Sequence, residues 1–134
     1  MTNRPSRSPE YRKGYAAAYN QGLRSLIPAK SARRRLQALA RIGWTWPELA
    51  EVSGDPARAK QFSVIAEGKH DKVTRETHAV ICGLYDVLQL CPASGPRATW
   101  MRRKATAKGW ASCLAWDDID NDLKPQGVTR VWHG

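Results

Sequence analysis

Residues 45–56, Thr-Trp-Pro-Glu-Leu-Ala-Glu-Val-Ser-Gly-Asp-Pro, constrain the fold of this chain more than any other stretch. Thr45 and Glu48 form a capping box: the hydroxyl accepts the Glu48 backbone N–H, and the carboxylate reaches back to the N–H of Thr45. A helix therefore starts here. It is short, because Gly54 tolerates the positive φ of a helix stop, and Asp55-Pro56 supplies a new N-cap followed by proline in the next first turn. The expected product is a helix, a tight turn and a second helix. Leu49, Ala50 and Val52 form the apolar side of the first. Ala59, Phe62, Ile65 and Ala66 form that of the second. Alanine at 50 and glycine at 54 let the pair approach closely, as in a helix-turn-helix. Both apolar faces need a third partner, for which Ser31–Ile42 and Thr74–Leu90 are the candidates.

Charge separates the possible partners. The 134-residue chain carries 22 Lys and Arg against 12 Asp and Glu, a net +10. Residues 1–47 hold ten basic residues and one acid, residues 48–96 five and seven, and residues 97–108 five and none. Two basic blocks flanking a near-neutral centre suit a polyanion, since each phosphate neutralised releases condensed counterions. An anionic membrane is the competing polyanion, but no stretch approaches the ~20 apolar residues of a membrane span, and the basic N-terminus lacks the apolar core of a signal peptide. A soluble, cytoplasmic protein, nucleoid-associated in its host cell, is expected. Three cysteines, Cys82, Cys91 and Cys113, have no C-x-x-C spacing, and only His78 and Cys82 stand at i,i+4. No metal and no other cofactor is expected. Enzymatic function is not expected either, since there is neither a glycine-rich phosphate loop nor a nucleophile elbow.

Residues 1–9 contain two prolines and two arginines and almost nothing to bury. They read as a solubilising tail or as an arm for a minor groove. From Glu10 to Leu26, Tyr11, Tyr15, Ala18, Tyr19, Gly22 and Leu26 make one face of a helix ended by Pro28. The tyrosines read as a packing face, onto the core or onto a second copy of the chain, rather than as base-stacking rings. Ser31 is the expected N-cap of the next helix, with Ala32, Leu36, Leu39, Ala40 and Gly43 facing inward. Arg34, Gln37 and Arg41 share its opposite side, flanked by Arg33 and Arg35. No acid lies between Glu10 and Glu48 to pair with them locally, so phosphate contact is expected.

Trp44 and Trp46 should wedge the corner by burial. The second helix of the corner, Ala57–Glu67, presents Lys60, Gln61 and Val64 opposite Phe62, with Arg58 in its first turn and Ser63 at its edge. Gln suits adenine edges, Lys suits guanine or phosphate, and Val meets a thymine methyl. Gly68–Val73 reads as a turn carrying Lys69 and Lys72, and Thr74 as the cap of the most apolar helix, expected to be the central one: Thr77, Val80, Ile81, Leu84, Tyr85, Val87 and Leu88. Cys91–Pro96 is a linker. A basic helix follows, bearing Arg97, Arg102, Arg103, Lys104 and Lys108, and Trp110–Trp116 should fold back onto the core. Asp118, Asp120 and Asp122 begin like a calcium loop, but Leu123 replaces the required glycine and Thr129 the bidentate glutamate. An acidic turn is the expectation.

Several of these segments, in order, resemble the helix-turn-helix proteins of actinobacterial phages and prophages, the mycobacteriophage-type regulators. They are Leu36–Trp44, Pro47–Ala50, Leu84–Leu88, Lys108–Ala111 and Leu114–Asp120, so the resemblance spans about residues 31–122. It implies a DNA-binding regulator. Phe62 and Ile65 arrive later after Gly54 than the motif's apolar positions usually do, so the turn is longer or the second helix starts later.

The reading is therefore an all-α fold, a small helical bundle containing a helix-turn-helix. Residues 1–30 form an N-terminal basic arm and tyrosine-striped helix, residues 31–90 the core, and residues 91–134 a linker, a basic helix and an acidic segment packing on that core. The expected function is sequence-specific binding of double-stranded DNA by a repressor or activator, without a small-molecule substrate and with a possible homodimer through the N-terminal helix. Arg58, Lys60, Gln61, Ser63 and Val64 are the expected base readers. Arg33, Arg34, Gln37, Arg41, Lys69, Lys72, Arg102, Arg103 and Lys104 are the expected phosphate contacts. Two other classes stay open: an excisionase-like architectural factor of recombination, and a protein-interaction module acting on host machinery or as an antitoxin.

Overall fold

The structure, a computed structural model, describes residues 22–125. The tyrosine face of the N-terminal segment and the arm before it lie outside the described residues. Within them the chain is mostly helical, with one small antiparallel sheet. Strand β1 (Leu26–Pro28) pairs with β2 (Lys72–Thr74), Ile27 standing opposite Val73. The sheet corrects the expected helix through Leu26 and the expected loop through Val73. Three residues on each side, with valine and threonine on β2, are held by pairing between segments distant in sequence, which local periodicity does not register.

Helix α1 (Lys30–Arg41) begins after Ala29, without a side-chain cap. Ser31 is thus not the N-cap, and its hydroxyl serves another purpose described below. Ala32, Leu36, Ala38, Leu39 and Ala40 of α1 are all buried. Small residues on this helix let neighbours pack on several sides, and α1 touches the second corner helix, the apolar helix after it and the basic helix beyond. The arginine-rich helix is therefore the hub of the core, the place the sequence assigned to Thr74–Leu90.

The corner follows. Helix α2 (Trp46–Ser53) opens with the full capping box, Thr45 accepting from Glu48 N and the Glu48 side chain accepting from Thr45 N. It closes on Gly54 at φ +92°, a left-handed conformation glycine adopts without strain. Asp55 caps a single 3-10 turn, Pro56–Arg58, and only then does α3 (Ala59–Ala66) begin. That extra turn accounts for the late arrival of Phe62 and Ile65, which are nonetheless fully buried with Leu49 and Ala50.

Helix α4 (Arg75–Leu88) is capped by Thr74 and buries Thr77, Ile81, Leu84, Tyr85 and Leu88. Two expected core valines are not core: Val52 is 51% and Val87 68% exposed. Helix α5 (Pro96–Ala107) packs on α1 through Met101 and Ala105. Where α1 ends, Gly43 lies so close to α5 that a Cβ there would stand 2.8 Å from that of Ala98. Trp46 is buried, its ring 6.1 Å from that of Trp110, so the segment after α5 does fold back onto the corner. The Trp44 indole instead bonds the Cys91 carbonyl at 2.9 Å, pinning the linker.

Candidate nucleic-acid interface

Burial of Phe62 and Ile65 determines which side of α3 remains free. At 100° per residue, Lys60 and Val64 turn away from those anchors, and Gln61, on the same turn-to-turn row as Ile65, stands exposed at the edge of that side. They form one wall of a cleft of about 480 Å³. Pairing of β2 with β1 fixes the other wall, where His70, Lys72 and Thr74 stand, and the buried side chains of Ile65 and Val73 form the floor. Three of the five expected base readers are thus brought together with one expected phosphate contact. Lys60, Lys69 and Lys72 are exposed and make no ion pair among the described residues.

Arg58 and Ser63 fare differently. The Arg58 guanidinium lies 3.7 Å from Asp55 Oδ2 and 3.5 Å from Glu76 Oε2. It also donates to Thr77 Oγ1 at 3.4 Å and to Gln61 Oε1 at 3.2 Å. Ser63 is half-buried beside the C-terminal turn of α3 and does not line the cleft.

Most expected phosphate contacts on α1 are turned to internal work. Arg34 stacks 4.1 Å over the Trp116 ring and donates to the Ile119 carbonyl at 2.9 Å and that of Leu123 at 3.4 Å. Arg33 reaches the His70 carbonyl at 3.3 Å and so braces the loop that carries one wall of the cleft. Gln37 donates to the Ala66 carbonyl at 2.9 Å, closing the end of α3. Arg41 bonds the Trp110 carbonyl. On α5, Arg102 donates to the Ala93 carbonyl at 2.9 Å and that of Ile42 at 3.3 Å. Lys104 lies 5.1 Å from the Trp100 ring, and Arg103 is exposed. The absence of acids between Glu10 and Glu48 ruled out only local partners. Carbonyls and one distant carboxylate take their place, so the lack of local acids is no longer a ground for expecting phosphate contact at these arginines.

That carboxylate is Asp120. It accepts from Arg35 at 2.7 Å and from the Ser31 hydroxyl at 2.6 Å. These bonds, Arg35 first and Ser31 next, hold its pKa down at about 2. Ser31 also lies 3.1 Å from His78 Nε2, and burial followed by the nearby Arg35 lowers the pKa of that ring. The rest of the acidic run is an acidic turn: Asp122 accepts from the N–H groups of Asp117 and Asp118, both at 3.0 Å. Among the described residues, no group of three or more His, Cys, Asp or Glu is arranged to hold a metal ion. Nor is any helix there long and apolar enough to cross a membrane.

His70 and Thr74 are cleft residues that sequence reasoning missed. The Lys-Val-Thr run of β2 was the available signal, but its partner lies in a separate part of the chain. Compared with protein-family models, curated proteins and solved structures, the chain gives no significant match to any of them.

Proposed function

We propose that this chain binds double-stranded DNA sequence-specifically, that the α2–α3 corner works as a helix-turn-helix, and that the protein is a transcriptional regulator of the phage type it resembles. One observation carries the reading. A cleft beside α3 gathers Lys60, Gln61 and Val64 with Lys72, and its lysines are not spent on ion pairs among the described residues. In a helix-turn-helix, this side of the second helix enters the major groove. Lysine, glutamine and valine supply donors for base edges and phosphates and an apolar surface for thymine methyls. Lys69, Lys72 and Arg103 are the phosphate contacts that this reading retains with side chains exposed. Arg33 and Gln37 act beneath the interface, bonding the His70 and Ala66 carbonyls of the elements that carry it, whereas Arg34 and Arg41 hold the segment after α5 and Arg102 holds the linker.

The test is a titration of duplex DNA at several salt concentrations. Replacing Lys60 and Lys72 together with Ala should weaken binding and flatten the salt slope by about one unit for each of the two that contacts a phosphate. The melting temperature should stay near its starting value, because both side chains are exposed. An unaltered slope with intact folding would overturn the reading.

A further inference from the structure

Burial on one side of α5 fixes what its other side presents. Ala98, Met101 and Ala105 are buried against the core, so the arc opposite them faces outward. Trp100 stands at the middle of that arc and is 58% exposed. Arg97 and Arg103, three residues before and after it, flank the ring; both are exposed, and neither enters an ion pair among the described residues. Lys104 Nζ lies 5.1 Å from the centroid of the Trp100 ring, a cation–π contact that steadies the indole. A lone exposed apolar side chain is common. This one differs in being a flat ring with cations on both sides, on a stretch, residues 97–108, that holds five basic residues and no acid.

The chemistry of a partner follows from those groups. Cations on both sides of an acid-free helix face select a polyanion. A ring at the centre selects one that offers unpaired π-faces, because base–aromatic stacking is open only to bases outside the duplex stack. A duplex presents phosphates and groove edges, and the indole would stand among them with nothing to stack on. An anionic membrane calls for a broad apolar face, and the buried apolar residues of α5 are already packed on the core. Along the helix axis Arg97 and Arg103 are about 9 Å apart, at 1.5 Å per residue, so each can hold a phosphate to one side of a base stacked between them.

We propose that the outer face of α5 is a binding site for single-stranded nucleic acid, with an unpaired base stacked on Trp100 and the strand's phosphates held by Arg97 and Arg103. No residue of α5 lines the cleft beside α3, so strand binding here stands or falls independently of duplex binding there.

The experiment is fluorescence anisotropy of labelled oligothymidylate and oligouridylate of equal length, titrated with the full chain and its Trp100→Phe, Trp100→Leu, Trp100→Ala and Arg97→Ala variants. The wild type should bind, and Trp100→Phe, which keeps a π-face, should bind about as tightly. Trp100→Leu and Trp100→Ala should bind roughly tenfold more weakly, since one stacked base is lost. Arg97→Ala should flatten the salt slope by about 0.7 for the one phosphate it releases. Leucine keeps apolar bulk on the helix, so a folding defect confined to the Ala variant leaves the comparison intact. Whichever oligonucleotide binds more tightly identifies the kind of strand. Folded Trp100→Leu that binds as tightly as the wild type overturns the proposal. So does a wild type that ignores both oligonucleotides, whether or not Trp100 instead closes a dimer or takes up phosphatidylglycerol vesicles. Trp100-dependent strand binding by a chain that fails to bind duplex leaves this proposal standing and overturns only the duplex-binding reading.

Discussion

Asp120 and His78 give the molecule a calculable response to pH. The Asp120 carboxyl is held at about 2, below its ordinary value, so the stability it supplies is complete above the ordinary value and is lost as pH falls toward 2. The His78 pKa is lowered from 6.5, so the fold favours the neutral ring and loses stability as pH falls through 6.5. Melting temperature should therefore decline from pH 8 to pH 5 and again below pH 4. His78→Gln should flatten the first decline, and Asp120→Asn the second, in calorimetric scans across that range. At Thr45 the capping box satisfies two orphan N–H groups, and Thr45→Ala should cost about 1 kcal/mol in denaturant unfolding. Gly43→Ala should cost more, about 2 kcal/mol, since φ is +101° and the added Cβ would meet Ala98 at 2.8 Å. These residue-scale features were unequally visible in the sequence. Thr45-x-x-Glu48 is a local pattern and could be read directly, whereas the partners of Asp120 lie 85 and 89 residues away.

At the scale of elements, the central position expected of α4 belongs to α1. Helix α4 has the more apolar sequence, yet α1, with arginines on its flanks, is in contact with three other helices. Alanines at 32, 38 and 40 explain this, because a hub requires close approach more than bulk. Leu36, fully buried in α1, should cost about 2–5 kcal/mol when cut to Ala. The double replacement Arg34→Ala with Arg41→Ala gives a sharper contrast. If these side chains phosphate-bind, the salt slope flattens; if they brace the C-terminal segment through Trp116, Ile119 and Trp110, the melting temperature falls and the slope stays. The second outcome is expected, read by thermal melting and DNA titration on one sample.

For the molecule as a whole, a net charge of +10 overstates what is available to a polyanion. Part of the basic block on α1 is spent on the acidic turn and on carbonyls, and Lys108 pairs with Glu67 at 2.9 Å. Removing residues 117–134 should therefore destabilise the fold, because Arg34 would lose the Ile119 and Leu123 carbonyls and Arg35 the Asp120 carboxylate. Circular dichroism melts of the truncated chain should show a lower midpoint, and an unchanged midpoint would mean that the turn merely decorates α1.

What the sequence determined by itself was whatever depends on neighbours along the chain. The corner from Thr45 to Pro56, its glycine stop, the Thr74 cap and the outward side of α3 all follow from capping chemistry and from the 3.6-residue period, which act within a turn or two. The exposure of Lys60 and Gln61 was legible for that reason. What only the tertiary structure decided was whatever depends on which distant segments meet: the pairing of β1 with β2, which supplies the second wall of the cleft, the placing of α1 at the hub, and the partners of its arginines. Those outcomes balance close packing against the need of buried donors for acceptors, and Arg34 and Arg35 of α1 find theirs where the folded chain brings a carbonyl or carboxylate within 3 Å or so.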